Sequence, residues 1–262
     1  MLIFTSIIAA TCYAIATWMQ WQRATGRKLN VRPTVLLLGI AGFALHGVSV
    51  YHTLHYPAGI DLGLFSMGSL ISWLVTALVI GSSLRQRIDN LFIGVFPMAA
   101  ITLLLASIMP PSDVLKPYDS GLFLHILLSV LAYSIFTLAA LQAMLLWRQQ
   151  LALKQHQTRG LVASLPPLQI MEKLLFEMLW VGFILLSISL VSGWLFVDNL
   201  FAQHLAHKTV LSIAAWLIYA TLLGGRKMLG WRGITAVRWT VGGFLLLMLG
   251  YFGSKLVLEF IL

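Results

Sequence analysis

Seven histidines stand out in a chain of 262 residues of which only 10% are charged. His125 lies just inside the apolar stretch from Tyr118 to Trp147, YDSGLFLHILLSVLAYSIFTLAALQAMLLW, with Asp119 before it and Arg148 closing it. Ser129 and Tyr133 follow at i+4 and i+8, a spacing that puts an imidazole, a hydroxyl and a phenol on one helix face. Such a face can handle a ligand. Neutral imidazole is a common axial ligand of haem iron, and it also binds zinc or copper. The plain alternative is an amphipathic ring resting at the level of the lipid headgroups. His46 differs, because it lies within an apolar run, where an ionisable group marks a functional site by default. A backbone carbonyl on a neighbouring helix would satisfy its neutral ring equally well. His52 and His55 end that same run. His204 and His207, three apart, share one side of a helix and would need Asp198 as a third ligand to form a metal site. His156 stands in a basic loop and reads as an ordinary solvated residue.

Membrane helices must position these residues. The chain is 60% hydrophobic with a mean hydropathy of +0.92, whereas soluble domains carry about 25% charged residues. Eight apolar spans follow one another, at roughly 2–21, 34–54, 62–84, 91–109, 121–147, 176–196, 209–225 and 240–262. Each approaches or exceeds the ~20 residues that carry a helix across a hydrocarbon core of ~30 Å. The expected fold is all-α, a polytopic bundle of eight transmembrane helices forming a single integral membrane domain over 1–262. The bilayer is its first partner.

Fourteen of the seventeen Lys and Arg fall between spans 1 and 2, 3 and 4, 5 and 6, and 7 and 8; Lys116, Lys208 and Lys255 are the exceptions. The positive-inside rule makes that side cytoplasmic and puts both termini outside. Six of the seven histidines then collect in the outer half of the molecule. The net charge of +9 follows from this topology, so no nucleic-acid partner is expected. The first span has its basic residues after it, which is not the pattern of a cleaved signal peptide, and it should be retained.

Cys12 is the sole cysteine, so no internal disulfide or CxxC chemistry is available. No acid sits mid-span to form the proton relay of a pump. A Gly-rich phosphate loop, HExxH and GxSxG are all missing, so hydrolysis and ATP use find no support and no enzymatic activity is expected. Trp180, Trp194, Trp216, Phe196 and Tyr219 would border a porphyrin or form an ordinary interfacial aromatic belt. Pro97 should kink span 4, and Gly224–Gly225 should stop span 7. The longest cytoplasmic connection runs from Arg148 to about Leu175. Gly63, Gly68, Ser72, Gly182, Gly193, Gly242 and Gly243 would permit close helix packing.

Two segments carry a resemblance. HILLSVLAYSIFTLAALQAMLL, from His125, resembles the "HVxMMxxSYAALxxGxLLA" stretch of the cytochrome c assembly (haem-handling) membrane proteins. GFILLSISLVSGWLF, then HKTVLSIAAWLIYATLLGGRKMLGWRG, is similar to that family's "GFxxLTxGILSGxxW" and "KETWALxxWxxYAxYLHxRxxxGWxG". LGLFSMGSLISW in span 3 weakly echoes "NLYESLxFLSW", and the likeness covers roughly 45–260. The resemblance implies a bacterial inner-membrane protein of cytochrome c biogenesis, with haem as cofactor and His125 as an axial ligand to its iron. His46, His55, His204 and His207 are the further candidates for cofactor binding. Other cytochrome c maturation or haem-biosynthesis proteins would be its partners. Three departures are visible. VDNLFAQHLAHK stands where the family has its tryptophan-rich "WGxxWxWD" loop. The histidine at the inner end of the next span falls on Gly224. The second outward histidine has no counterpart in YFGSKLVLEF. Haem binding is therefore expected more than haem ligation. A regulatory or scaffold protein without haem, as in the HemX-like branch, and a metal or small-solute transporter using His46, His52 and His55 are the alternatives.

Overall fold

The computed structural model describes residues 2–25, 31–57, 59–85, 88–111, 115–116, 120–156, 162, 164–196 and 203–253. Among them eight helical spans are long and apolar enough to cross a membrane, built on α1 (Leu2–Ala24), α2 (Arg32–Leu54), α3 (Leu64–Arg85), α4 (Phe92–Ile108, entered through the 3-10 turn Asp89–Leu91), α5 (Ser120–Lys154), α6 (Leu168–Phe196), α7 (Gln203–Met228) and α8 (Ile234–Met248, continued by the π-helical turn Leu249–Gly253). A hydrocarbon environment leaves the backbone no partner but itself, so uninterrupted apolar sequence becomes helix.

Three boundaries depart from the sequence reading. Helix α5 runs on to Lys154, and α6 begins at Leu168, directly after Pro166–Pro167, so the Arg148–Leu175 connection is much shorter than expected. Helix α7 passes through Gly224–Gly225 to Met228. The chain turns further on, using Gly230 (φ 66°) and Gly233 (φ 56°), where left-handed backbone costs glycine little. Gly225 instead makes room for Trp231, whose ring would lie 2.5 Å from an added Cβ. Pro97 sits within α4, which continues as a helix on either side of it.

The described helices fall into two compact units, Met1–Pro117 with Leu151–Pro167, and Tyr118–Gln150 with Leu168–Leu262; nothing in the sequence marks this division. In the first unit α1, α2, α3 and α4 pack together. Gly39 and Gly42 of α2 let aromatic rings reach its backbone, since an added Cβ would lie 2.7 Å from Phe96 and 2.9 Å from Tyr13. Tyr13 stacks on Phe96 at 5.2 Å and Phe96 on Phe92 at 4.6 Å, giving a buried aromatic column. A small antiparallel sheet, β1 (His55–Tyr56), β2 (Gly59–Asp61) and β3 (Leu115–Lys116), adjoins the α2–α3 connection, with His55 opposite Ile60 and Ile60 opposite Lys116. Asp61 fastens it by accepting from the Ser66 hydroxyl at 2.6 Å and the Gly63 amide at 2.8 Å. At the far end of the unit, buried Asp89 receives Arg23 at 3.0 Å and Arg32 at 2.9 Å.

In the second unit Phe136 of α5 stacks on Tyr219 of α7, centroids 4.0 Å apart and planes 7° from parallel. Gly182 of α6 faces Phe136 and Gly243 of α8 faces Tyr219; an added Cβ would stand 2.9 Å and 2.7 Å from those rings. Glu172 of α6 joins Arg226 of α7 at 3.2 Å and accepts from the Gly233 amide at 3.3 Å, tying the α7–α8 turn to α6.

Candidate functional site

His125 lies in the second turn of α5, half-buried and turned toward α6. Its Nδ1 is 2.9 Å from the Ser189 carbonyl oxygen and 3.2 Å from Ser192 Oγ. A carbonyl only accepts, so Nδ1 carries the proton and donates it. In the neutral ring Nε2 then keeps its lone pair, and no other described residue hydrogen-bonds to it. The Ser129 hydroxyl donates back to the His125 carbonyl at 2.8 Å and meets Ser189 Oγ at 2.7 Å. Two neighbouring helices are thereby stitched through one imidazole and three serines.

Tyr133 departs from the expected common face. Its phenol donates to the Leu247 carbonyl of α8, and its ring meets Tyr251 and Phe252 edge-on at 5.9 Å and 6.5 Å. The helical step of about 100° explains this: four residues bring a side chain round to ~40° off, eight to ~80°. Ser129 therefore still addresses α6, whereas Tyr133 addresses α8 beside the π-helical turn Leu249–Gly253, where the backbone ladder changes register.

His46 belongs to the first unit. It is fully buried, with Nε2 3.0 Å from Ser69 Oγ and Nδ1 3.4 Å from the Tyr13 hydroxyl. Both ring nitrogens are engaged, so the imidazole links α1, α2 and α3. One turn along α2, Ser49 meets Ser6 at 3.0 Å, and Ser107 of α4 donates to Ser6 at 2.6 Å. Sequence reading missed these hydroxyls, because serine in a span looks like a small packing residue until its partner helix is known.

His55 begins β1, exposed, with Nδ1 donating to the Tyr51 carbonyl at 3.1 Å and its ring stacked on Tyr51 at 4.5 Å. His52 is exposed and meets Tyr51 edge-on at 5.7 Å. His207 is exposed near the start of α7. The side chain of His204, together with Tyr118, Asp119 and Asp198, lies outside the described residues. Among the described residues no group of three or more His, Cys, Asp or Glu converges to hold a metal ion. The aromatics divide as well. Tyr219 is buried in the Phe136 stack, Trp216 donates to Ser187 Oγ at 2.8 Å, and Trp194 is 77% exposed two residues beyond Ser192.

Residues 34–262 match the family model described as "Cytochrome C assembly protein". The chain belongs to the cytochrome c assembly family. Among curated members of this kind, it is 34% identical over 209 residues to "Inner membrane protein YpjD" of Escherichia coli (strain K12), covering 78% of either chain. It is 31% identical over 156 residues, 58% of either chain, to an uncharacterized 28.8 kDa protein of Azospirillum brasilense. It is 26% identical over 196 residues, 72% of either chain, to "Protein HemX" of Brevibacillus brevis. No solved structure matches it. With eight spanning helices and these relatives, the family member described here is a multi-pass inner-membrane protein.

Proposed function

We propose that this cytochrome c assembly family member binds haem, with His125 as an axial ligand of the iron, in a haem-handling role connected with cytochrome c maturation. The observation that carries the reading is the 2.9 Å contact of His125 Nδ1 with the Ser189 carbonyl oxygen, which selects the Nδ1–H tautomer. Iron takes the unprotonated imidazole nitrogen, and metal-ligating histidines generally give their other N–H to a carbonyl or carboxylate. Nδ1 donating to Ser189 O meets that requirement and leaves Nε2 for the iron. Haem would supply a porphyrin-bound iron at this position; the chain supplies the imidazole and its orientation. Exposed Trp194 is the aromatic nearest in sequence to the Ser189–Ser192 partners. The absence of the tryptophan-rich loop supports holding haem over ligating it to an apocytochrome. By the positive-inside rule, the end carrying Arg23, Arg32 and Asp89 faces the cytoplasm and His125 faces outward.

The test is a haem titration of the detergent-purified chain. A Soret band that saturates at one equivalent and is lost or shifted in His125→Ala is expected. Its absence in the unaltered protein under every reconstitution condition overturns the reading. The similarity to Protein HemX favours a second reading, a regulatory or scaffold role on the same fold without haem. Charge reversal at Arg148 and Lys173 would then abolish function, while His125→Ala would be silent.

A further inference from the structure

We infer that Ser192 and Gly193 of α6 are positioning residues that hold the His125 imidazole in the Nδ1–H form with Nε2 available to a metal; this rests on the haem reading above. Gly193 lies inside a regular helix and is not among the glycines with positive φ. Its backbone conformation would therefore suit any residue, and alanine would be the better helix former. What demands glycine is the ring: an added Cβ would stand 2.9 Å from Cε1, 3.2 Å from Nδ1 and 3.6 Å from Nε2 of His125. The imidazole lies in the space a methyl group would fill. The proton positions around it follow in order. Ser129 Oγ gives its proton to the His125 carbonyl, so Ser189 Oγ gives its own to Ser129 Oγ. Ser192 Oγ gives its proton to Ser189 O at 2.9 Å. With that proton committed, Nδ1 faces only acceptors, the Ser189 carbonyl and the Ser192 lone pair. Nδ1 must donate, and the bare nitrogen is Nε2. Alanine at 193 pushes the ring off the carbonyl and removes this bias.

The experiment uses the full chain in detergent with 15N-labelled histidine, without haem and at mildly alkaline pH, the His125 signals being assigned by their loss in His125→Ala. The unaltered protein should show the Nδ1–H tautomer at His125. Gly193→Ala should give a mixed tautomer, and Gly242→Ala, where an added Cβ meets nothing within 4 Å, should leave it unchanged. In a parallel haemin titration Gly193→Ala should weaken binding by about tenfold or more, the usual cost of disturbing a ligand's outer shell. Ser192→Ala removes one of the two acceptors and adds no bulk; with the Ser189 carbonyl still facing Nδ1 it should admit a smaller Nε2–H fraction than Gly193→Ala does, and it carries the test if Gly193→Ala does not fold. An Nε2–H tautomer in the unaltered protein, or an unaltered tautomer in both variants, overturns the inference. If the tautomer shifts as expected while haemin binds to nothing, the seating of the ring stands and the haem reading falls.

Discussion

His46→Ala separates an interhelical clasp from a cofactor ligand. The fully buried ring spans Ser69 at 3.0 Å and Tyr13 at 3.4 Å, so truncation removes two interhelical hydrogen bonds and leaves a void. Hydrogen bonds between membrane helices average about 0.6 kcal/mol, up to ~1.7, and the longer Tyr13 contact belongs at the low end. Emptying a buried side chain of this size costs ~2–4 kcal/mol more. The Ser69 hydroxyl can turn back to its own helix, and the Tyr13 phenol keeps its hydrogen bond with the Thr76 side chain, so neither group adds an unsatisfied-donor cost. The total is ~3–5 kcal/mol, or a fall in Tm on the order of 10 °C for a chain of this length. Thermal unfolding of the detergent-purified protein, followed by intrinsic fluorescence, reads this directly. His46→Leu refills the volume and should recover roughly two-thirds or more of the loss, since only the hydrogen-bond share remains. Haem titration of the surviving folded fraction should be unchanged. A destabilisation below ~1 kcal/mol would refute the clasp, and loss of the Soret band without loss of stability would make His46 a ligand instead.

Other perturbations test the same physical reading elsewhere. Asp89→Asn leaves Arg23 and Arg32 facing each other across a neutral amide. Both guanidiniums are about one-third exposed, so the cost is moderated by solvent to ~1–2 kcal/mol, and it should show as a lower Tm that extra salt partly offsets. Gly182→Ala drives a methyl group into the Phe136 ring at 2.9–3.2 Å and should destabilise the second unit by ~1–3 kcal/mol, measured by denaturant or thermal unfolding. Glu172→Gln weakens the hold on Arg226 and the Gly233 amide. Faster tryptic cleavage after Arg232 and quicker exchange of the Gly233 amide are expected, with haem binding unaffected.

The number and order of the spans were legible because crossing hydrocarbon demands long apolar runs, and eight such runs became α1–α8. The lengths of α5 and α6 were less so. LQIMEKLL at 168–175 contains Glu172 and Lys173, whose charges lower its hydropathy, yet Glu172 is nearly buried against Arg226. A hydropathy reading stops where an ion pair with a distant helix begins. His125 and Ser129 were legible as one face from their spacing alone. The other side of that site, Ser189, Ser192 and Gly193, lies more than sixty residues along the chain and depends on the register between α5 and α6. Local sequence contains no trace of that register. The same holds for His46, whose partners Tyr13 and Ser69 belong to the helices before and after its own.

The Phe136–Tyr219 stack between Gly182 and Gly243 also limits how this chain can change over time. No single step that adds volume at 182 or 243 is open while both rings remain, because each ring already occupies the space of the missing Cβ. Shrinking Phe136 first opens a void, which costs stability of its own. Positions 136 and 182, and likewise 219 and 243, should therefore change in pairs, with a bulkier residue at one tolerated only beside a smaller one at the other. Gly182→Ala combined with Phe136→Leu should be more stable than the sum of the single losses predicts, which would make this stack one unit of inheritance spread over four helices.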